Sequence, residues 1–233
     1  MSCILHIETS TNVCSVAVSE DGQCIFSKED LKGPNHAVSL GSFVDEALSF
    51  ADSHAIPVDA VAVSSGPGSY TGLRIGLSEA KGLAFGLGVP LIAVPTLKIL
   101  SVAVMFSRNV GPDDYFAPMI DARRMDVFAG VYDLALNEVV APQPMTVTAE
   151  SFADVLDSHR MFFVGNGADK VRELISHPNA EFVCGMRLNA VDMIALSEKA
   201  FREGDFADVA YVTPAYLKQF QATTPRKNVL INK

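Results

Sequence analysis

The sequence predicts an α/β protein made of two copies of one unit, each a mixed sheet flanked by helices. Three features carry that expectation. The chain opens with two strand-like runs, Cys3–Glu8 and Val13–Ser19, joined by the short polar turn Thr9–Asn12. A buried strand at 60–63 then runs into a glycine-bearing loop, Ser64-Ser65-Gly66-Pro67-Gly68-Ser69, and a helix. Both patterns recur in the second half, where Phe116–Asp121, the polar turn Arg123-Arg124 and Met125–Tyr132 are followed by Met161–Val164 and Gly165-Asn166-Gly167. Residue identity between the halves is slight, so the repetition is one of topology.

Each remaining element has its own local signal. Asp21-Gly22 is a hairpin turn leading to a third strand near Cys24–Ser27. Asn35 is the expected N-cap of a helix whose Leu40, Phe43, Val44, Ala47, Leu48 and Ala51 recur at helical spacing. A glycine-studded helix follows from Tyr70 to Leu87, then a strand, Pro90–Val94, and a helix from Thr96 to Phe106. The polar stretch Arg108–Asp114 reads as a linker, dividing the chain into a domain at 1–107 and a smaller one at 108–233. Helices are expected at 168–175 and 190–203, the last packing back on the first domain. A basic C-terminus runs from Lys218 to Lys233.

Composition narrows the function. Hydrophobic residues make up 49% of the 233 residues but aromatic ones only 8%, with no Trp, so the core must be aliphatic. A net charge of −9 argues against this chain gripping a nucleic-acid backbone alone. Cys3, Cys14, Cys24 and Cys184 form no C-x-x-C pair and read as small apolar residues. The first 18 residues lack a basic leader region, and Glu8 interrupts their apolar run, unlike a signal peptide. No stretch approaches the ~20 apolar residues of a spanning helix. The expectation is a soluble, cytoplasmic protein with no membrane contact.

Two segments have the chemistry to hold an anion. Backbone N–H groups and hydroxyls of the first turn, with Glu8, Ser10 and Thr11, can hold phosphate, and a carboxylate can hold Mg²⁺ through water. Residue types alone weigh toward a plain hairpin turn, and Glu8 lacks a second acid. The loop with Gly66, Gly68 and Ser69 precedes a helix, where exposed N–H groups and the macrodipole favour anions. It lacks the lysine of a Walker loop, because Gly72-Leu73-Arg74 follows, and Gly66, Gly68 and Gly72 miss the dinucleotide spacing. It offers no nucleophile elbow either. A tight structural connection is an equal reading.

Within the next helix Gly72, Gly76 and Ala80 recur every four residues, and Gly82 and Gly86 lie on another face. Each helical glycine costs about 0.8–1.0 kcal/mol relative to Ala, which close approach by another element can offset. That element lies in the same domain or in a partner. His36 heads its helix, but Leu40 stands one turn on, so a metal-binding histidine pair is absent. No catalytic constellation emerges.

Ile4-Leu5-His6-Ile7-Glu8-Thr9-Ser10-Thr11, together with the twelve residues Ser65-Gly66-Pro67-Gly68-Ser69-Tyr70-Thr71-Gly72-Leu73-Arg74-Ile75-Gly76, closely resembles the TsaB (YeaZ) family. The likeness extends over the chain, through Gly165-Asn166-Gly167-Ala168 and Tyr216-Leu217-Lys218, more loosely in the second half. It implies duplicated actin-like domains, the fold of sugar kinases and the Hsp70 ATPase. It also implies an assembly with the catalytic paralogue TsaD and the ATPase TsaE. That assembly transfers a threonylcarbamoyl group to the adenosine beside the anticodon in tRNAs reading A-starting codons. In TsaD-like members an H-x-x-x-H pair holds metal, and here the second ligand is replaced by Leu40. The resemblance therefore implies a non-catalytic scaffold or activator with no metal. It implies that no cofactor is required by this chain alone, that the nucleotide pocket is either vestigial or takes ATP or ADP only at a partner boundary, and that tRNA is met only through the complex. It further implies that the first two helices pair with TsaD, or with a second copy in a homodimer, through Leu40, Phe43, Val44, Ala47, Gly72, Leu73, Gly76 and Ala80. The family commonly has Asp where this chain has Glu8, which weakens an intrinsic ATPase. The rival readings are an actin-like ATPase, a peptidase-like hydrolase built on Ser69 or Cys14, and a tRNA contact through Lys218, Arg226, Lys227 and Lys233.

Overall fold

A computed structural model describes residues 2–33 and 35–218. The first half runs β1 (Cys3–Glu8), β2 (Cys14–Glu20), β3 (Gln23–Asp30), α1 (His36–Ser53), β4 (Ala60–Gly66), α2 (Tyr70–Leu87), β5 (Leu91–Pro95) and α3 (Thr96–Ser107). The second runs β6 (Tyr115–Asp121), β7 (Asp126–Tyr132), β8 (Glu138–Thr146), α4 (Ala153–Leu156), β9 (Met161–Val164), α5 (Asn166–Val171) and β10 (Ala180–Val183). A 3₁₀ turn, Ala190–Met193, then leads into α6 (Ile194–Glu203). The two five-stranded sheets have the same order, β3-β2-β1-β4-β5 and β8-β7-β6-β9-β10. In both, the first three strands are antiparallel and the last two lie parallel to the first. This is the duplicated actin-like architecture.

Strand alternation sorts the core into layers. Leu5 and Ile7 of β1 and Val61 and Val63 of β4 face Leu40, Val44 and Ala47 of α1 and Leu77 and Ala80 of α2. Ile4, Ala60 and Ala62 face the other way, into a second cluster built on Leu97, Ile99, Leu100 and Val104 of α3. That cluster also contains Phe116, Ile120, Phe162 and Val164 of the second sheet, so α3 is wedged between the repeats. A third cluster covers the outer face of the second sheet, with Met119, Val127, Phe163 and Val171.

Contacts cross the repeat boundary near residue 107. The 3₁₀ turn and α6 lie on the first sheet, where Ala190 N–H donates to Ser15 Oγ at 2.9 Å. Ser2 Oγ–H and Gly22 N–H donate to the Glu198 carboxylate at 2.7 and 3.1 Å. The segment beyond α6 continues along the first domain, with Ala207 N–H on Leu91 O at 2.8 Å and Ala215 N–H on Ser65 O at 2.7 Å.

Several elements differ from the sequence reading. β3 runs through Asp30, and β8 and β10 are additional strands. β8 carries Pro142 and Pro144 at the sheet edge, and prolines obscure a strand pattern while remaining tolerable where one side needs no ladder donor. β10 is only four residues long. Asp114, at the end of the expected linker, is buried, accepts Gly111 N–H at 2.6 Å and forms a two-pronged ion pair with Arg160.

The glycines of α2 divide into two sets. A Cβ at Gly72 would overlap the Thr9 carbonyl oxygen and the His36 ring, and one at Gly76 would overlap Thr9 Oγ1. Gly82 and Gly86 face open space. We expect Gly76→Ala to destabilise the fold by about 2–3 kcal/mol through overpacking. Gly82→Ala should instead stabilise it by about 1 kcal/mol through helix propensity. Urea unfolding of the two variants checks this, and equal effects would contradict the assignment.

Candidate functional site

The first turn is a knot of internal hydrogen bonds. Glu8 is fully buried at the end of β1, and its Oε1 accepts both the Ser10 N–H at 2.6 Å and the Ser10 Oγ–H at 2.5 Å. Burial pushes its carboxyl up to about 7, against the opposing pull of the Ser10 bonds and the nearby Ser64 hydroxyl. Ser64 Oγ and Glu8 Oε2 are both buried without a well-formed hydrogen bond. Thr9 Oγ1–H donates to Gly72 O at 2.9 Å, tying the turn to α2.

The glycine loop closes directly over this turn. A Cβ at Gly68 would overlap the Ser10 carbonyl oxygen, and Ser69 N–H donates to that same oxygen at 2.7 Å. Ser69 Oγ caps α2 by accepting Gly72 N–H at 3.2 Å, while Gly66 N–H reaches Thr96 Oγ1 at 3.1 Å. Glu8, Ser10, Gly66, Gly68 and Ser69 are thus brought together, but against one another. Thr11 is engaged elsewhere, its Oγ1 accepting Val13 N–H at 3.3 Å. Ser10 N–H and Oγ–H and the N–H groups of Ser69 and Gly66 already donate within the protein, and Ser10 and Gly68 lie in direct contact.

His36 is likewise engaged. Its Nε2 lies 2.8 Å from Thr11 O, which fixes the proton on that nitrogen, and Nδ1 is buried with no partner. Leu40, one turn on, is in the core. Among the described residues no three His, Cys, Asp or Glu side chains gather as a metal site. One imidazole bonded to a carbonyl, followed by a core leucine, does not supply a ligand set. The nucleophile candidates are equally occupied: Ser69 caps α2, and burial pushes the Cys14 thiol up to about 11.

Seven of the eight expected interface residues need correcting. Leu40, Val44, Ala47, Gly72, Leu73, Gly76 and Ala80 are buried within the first domain, under α1 and α2 rather than on them, and Phe43 is half-buried beside Lys28. Helical periodicity identified an apolar stripe on each helix, and the sheet of the same domain covers it. The outward surfaces carry Val38, Gly41 and Ser42 on α1 and Gly82, Phe85 and Gly86 on α2, with Phe85 84% exposed.

Comparison with known proteins places this geometry. Residues 30–229 match the family described as "TsaD: tRNA N6-adenosine threonylcarbamoyltransferase". The Bacillus subtilis protein named tRNA threonylcarbamoyladenosine biosynthesis protein TsaB is 30% identical over 94% of this chain and 95% of its own length. The Escherichia coli protein of the same name is 30% identical over 92% of this chain and 94% of its own. YeaZ from Pseudomonas aeruginosa superposes with a TM-score of 0.77 at 30% identity, covering 93% of this chain and all of that one.

The chain belongs to the TsaB (YeaZ) family. In this TsaB-family protein the second-half counterpart of the first turn, Asp121–Asp126, keeps its arginines exposed, and Lys170 Nζ reaches Asp121 Oδ1 at 2.8 Å. Lys218 Nζ reaches Asp126 Oδ2 at 2.6 Å. The other basic tail positions, Arg226, Lys227 and Lys233, lie outside the described residues. No helix among the described residues is long and apolar enough to cross a membrane.

The elevated Glu8 carboxyl makes a signed prediction. Below its ordinary value of 4.5 both folded and unfolded chains hold the proton; between 4.5 and about 7 only the folded chain does. Stability from this group therefore falls as pH rises through that window, by roughly 3 kcal/mol once Glu8 is ionised. Gln at position 8 can still accept from Ser10 and stays neutral. Glu8→Gln should match the parent near pH 4 and exceed it by roughly 2–3 kcal/mol at pH 8 in urea unfolding. Parallel pH profiles would rule out a buried, late-ionising Glu8.

Proposed function

We propose that this chain is a non-catalytic partner of a TsaD-type transferase in the synthesis of threonylcarbamoyladenosine on tRNA, working beside the ATPase TsaE. One observation carries the non-catalytic part: the only histidine at the head of α1 is tied to Thr11 O, and the place of a second metal-binding histidine is held by the core residue Leu40. Relatives of similar length named as biosynthesis proteins for this tRNA modification support the pathway. In this reading the chain needs no cofactor of its own. A nucleotide at the partner boundary rests on the partner's groups, because Ser10, Ser69 and Gly66 are already bonded within this protein.

Docking is assigned to the outward faces of α1 and α2. Gly82 and Gly86 carry the helix-propensity cost of glycine with none of the described residues close enough to offset it, and Phe85 and Val38 are large apolar side chains left exposed among them. A partner helix laid against this surface would cover both. The same surface serves a homodimer when the transferase is absent.

The test is modified nucleoside read by mass spectrometry in a reconstituted system with TsaD, TsaE, ATP, tRNA and threonylcarbamoyl-adenylate. Product should depend on this chain, which is inert by itself. Gly82→Leu, whose side chain enters open space, should fold normally yet weaken association with the transferase at least about tenfold, with product falling in parallel. Equal product without this chain would return the ATPase and hydrolase readings to the front.

A further inference from the structure

The β6–β7 turn carries two adjacent arginines that are in no ion pair among the described residues. Arg123 and Arg124 sit at its tip, both exposed, with φ of +69° and +54°. Side-chain-bearing residues other than Asn and Asp rarely adopt that region, and two in succession are a strained arrangement that glycine would relieve. The turn holds itself in this form, with Arg123 N–H on Asp121 Oδ1 at 2.8 Å and Asp126 N–H on Arg123 O at 3.2 Å.

The flanking acids do not neutralise the arginines. Asp121 is paired with Lys170 of α5 at 2.8 Å, and Lys170 also donates to Asp126 O at 2.9 Å. Asp126 is paired with Lys218 at 2.6 Å and accepts Thr146 Oγ1–H at 2.5 Å. Both carboxylates are thus matched by lysines brought from elsewhere in the fold. Among the described residues neither guanidinium is in an ion pair. Four cations stand around two acids, on a protein whose net charge is −9.

Lys218 adds direction to this surface. The segment before it is fastened to the first domain through Ala215 on Ser65 and through Tyr216, whose hydroxyl accepts Arg74 Nε–H at 3.0 Å. Two residues on, Lys218 is at the second domain's turn. The sequence after it, residues 219–233, contains Arg226, Lys227 and Lys233 and no acid.

We propose that Arg123 and Arg124 form a docking point for the phosphodiester backbone of the tRNA handled by the complex. The assignment rests on the function proposed above and names a contact for it. Guanidinium groups match phosphate oxygens in a two-pronged geometry, and a turn that holds two of them free of counter-charge is preorganised for adjacent phosphates. The contact reads charge and spacing rather than base identity, so it positions the RNA without selecting its sequence. It is also compatible with the negative net charge, because the surrounding acids disfavour RNA elsewhere on the surface and leave the turn as a local exception.

The experiment uses the assembled complex with the transferase and measures tRNA affinity between 50 and 200 mM salt. The variants are Arg123→Gly/Arg124→Gly, which keeps the positive-φ backbone without strain, and Arg123→Lys/Arg124→Lys, which keeps the charge. The glycine pair should leave the melting temperature unchanged or raised and leave assembly with the transferase intact. Its tRNA affinity should fall about tenfold at the lowest salt, with the logarithmic salt slope shallower by about 1.5–2 for two lost phosphate contacts. The lysine pair should retain the slope. Unchanged affinity and slope in a folded, assembled glycine variant would overturn the proposal. So would loss of assembly with intact tRNA binding, which would make the turn a protein contact. Failure of the unsubstituted chain to join the transferase would instead count against the function proposed above.

Discussion

Gly72 and Gly76 set α2 down on the end of β1, with Thr9 filling the space that two Cβ atoms would otherwise occupy. Much of the first domain follows from that approach. It lets Thr9 Oγ1 reach Gly72 O, brings the α2 N-terminus and its preceding loop over Ser10, and places Gly72 against the His36 ring at the start of α1. The second domain repeats the device with different residues: Gly165 and Gly167, before and within α5, lie against the backbone of Met119 and Ile120 near the end of β6. Both repeats therefore close the same corner, the meeting of the first strand's end with the helix after the fourth strand, by omitting side chains. Slight identity between the halves is compatible with this, because the constraint falls on volume at a few positions rather than on chemistry.

Several polar groups at the first domain's corner are turned inward. Ser10 N–H serves Glu8, Ser69 N–H serves Ser10 O, and the Ser69 hydroxyl serves Gly72 N–H. The longer acid at position 8 suits this inward role. Its Oε1 folds back onto the residue two positions ahead, and the carboxyl is sealed so thoroughly that it holds its proton to about neutral pH. His6, on the same strand, is also buried and is driven down to about 3, so it stays neutral. Its penalty grows as pH falls through the imidazole's ordinary range, opposite in sign to that of Glu8. Burial has favoured the uncharged form of both groups.

The sequence carried most of this architecture and less of its surface. The duplicated hairpin, the glycine loops and the helix stripes are periodic, local signals, and they placed the central strands and the helices. β8 was obscured by Pro142 and Pro144, and β10 by its length. The helix faces exposed a different difficulty. Leu40, Val44 and Ala47 recur with the period of a buried stripe, but periodicity states only that a stripe is covered, not whether the cover lies in cis or in trans. Asp114 posed a similar problem, since its partner Arg160 is 46 residues away and no local pattern links them. The strained arginines of the β6–β7 turn were visible as a polar turn, but their positive φ angles and the loss of their acidic neighbours to lysines are properties of the folded chain.

The two glycine sets of α2 give a criterion for separating cover in cis from cover in trans. A helix can tolerate glycine wherever a closely packed neighbour returns in dispersion what is lost in propensity, and at Gly72 and Gly76 that neighbour is visible. At Gly82 and Gly86 the same loss has no counterpart among the described residues, and the residue between them, Phe85, projects an exposed aromatic ring. Two uncompensated glycines beside an exposed phenylalanine are a poor solution for an isolated helix and a good one for a helix that receives another backbone at close range. The stripe that first suggests an interface is thus the one the sheet requires, whereas the positions that serve no purpose inside the domain are those a partner can use.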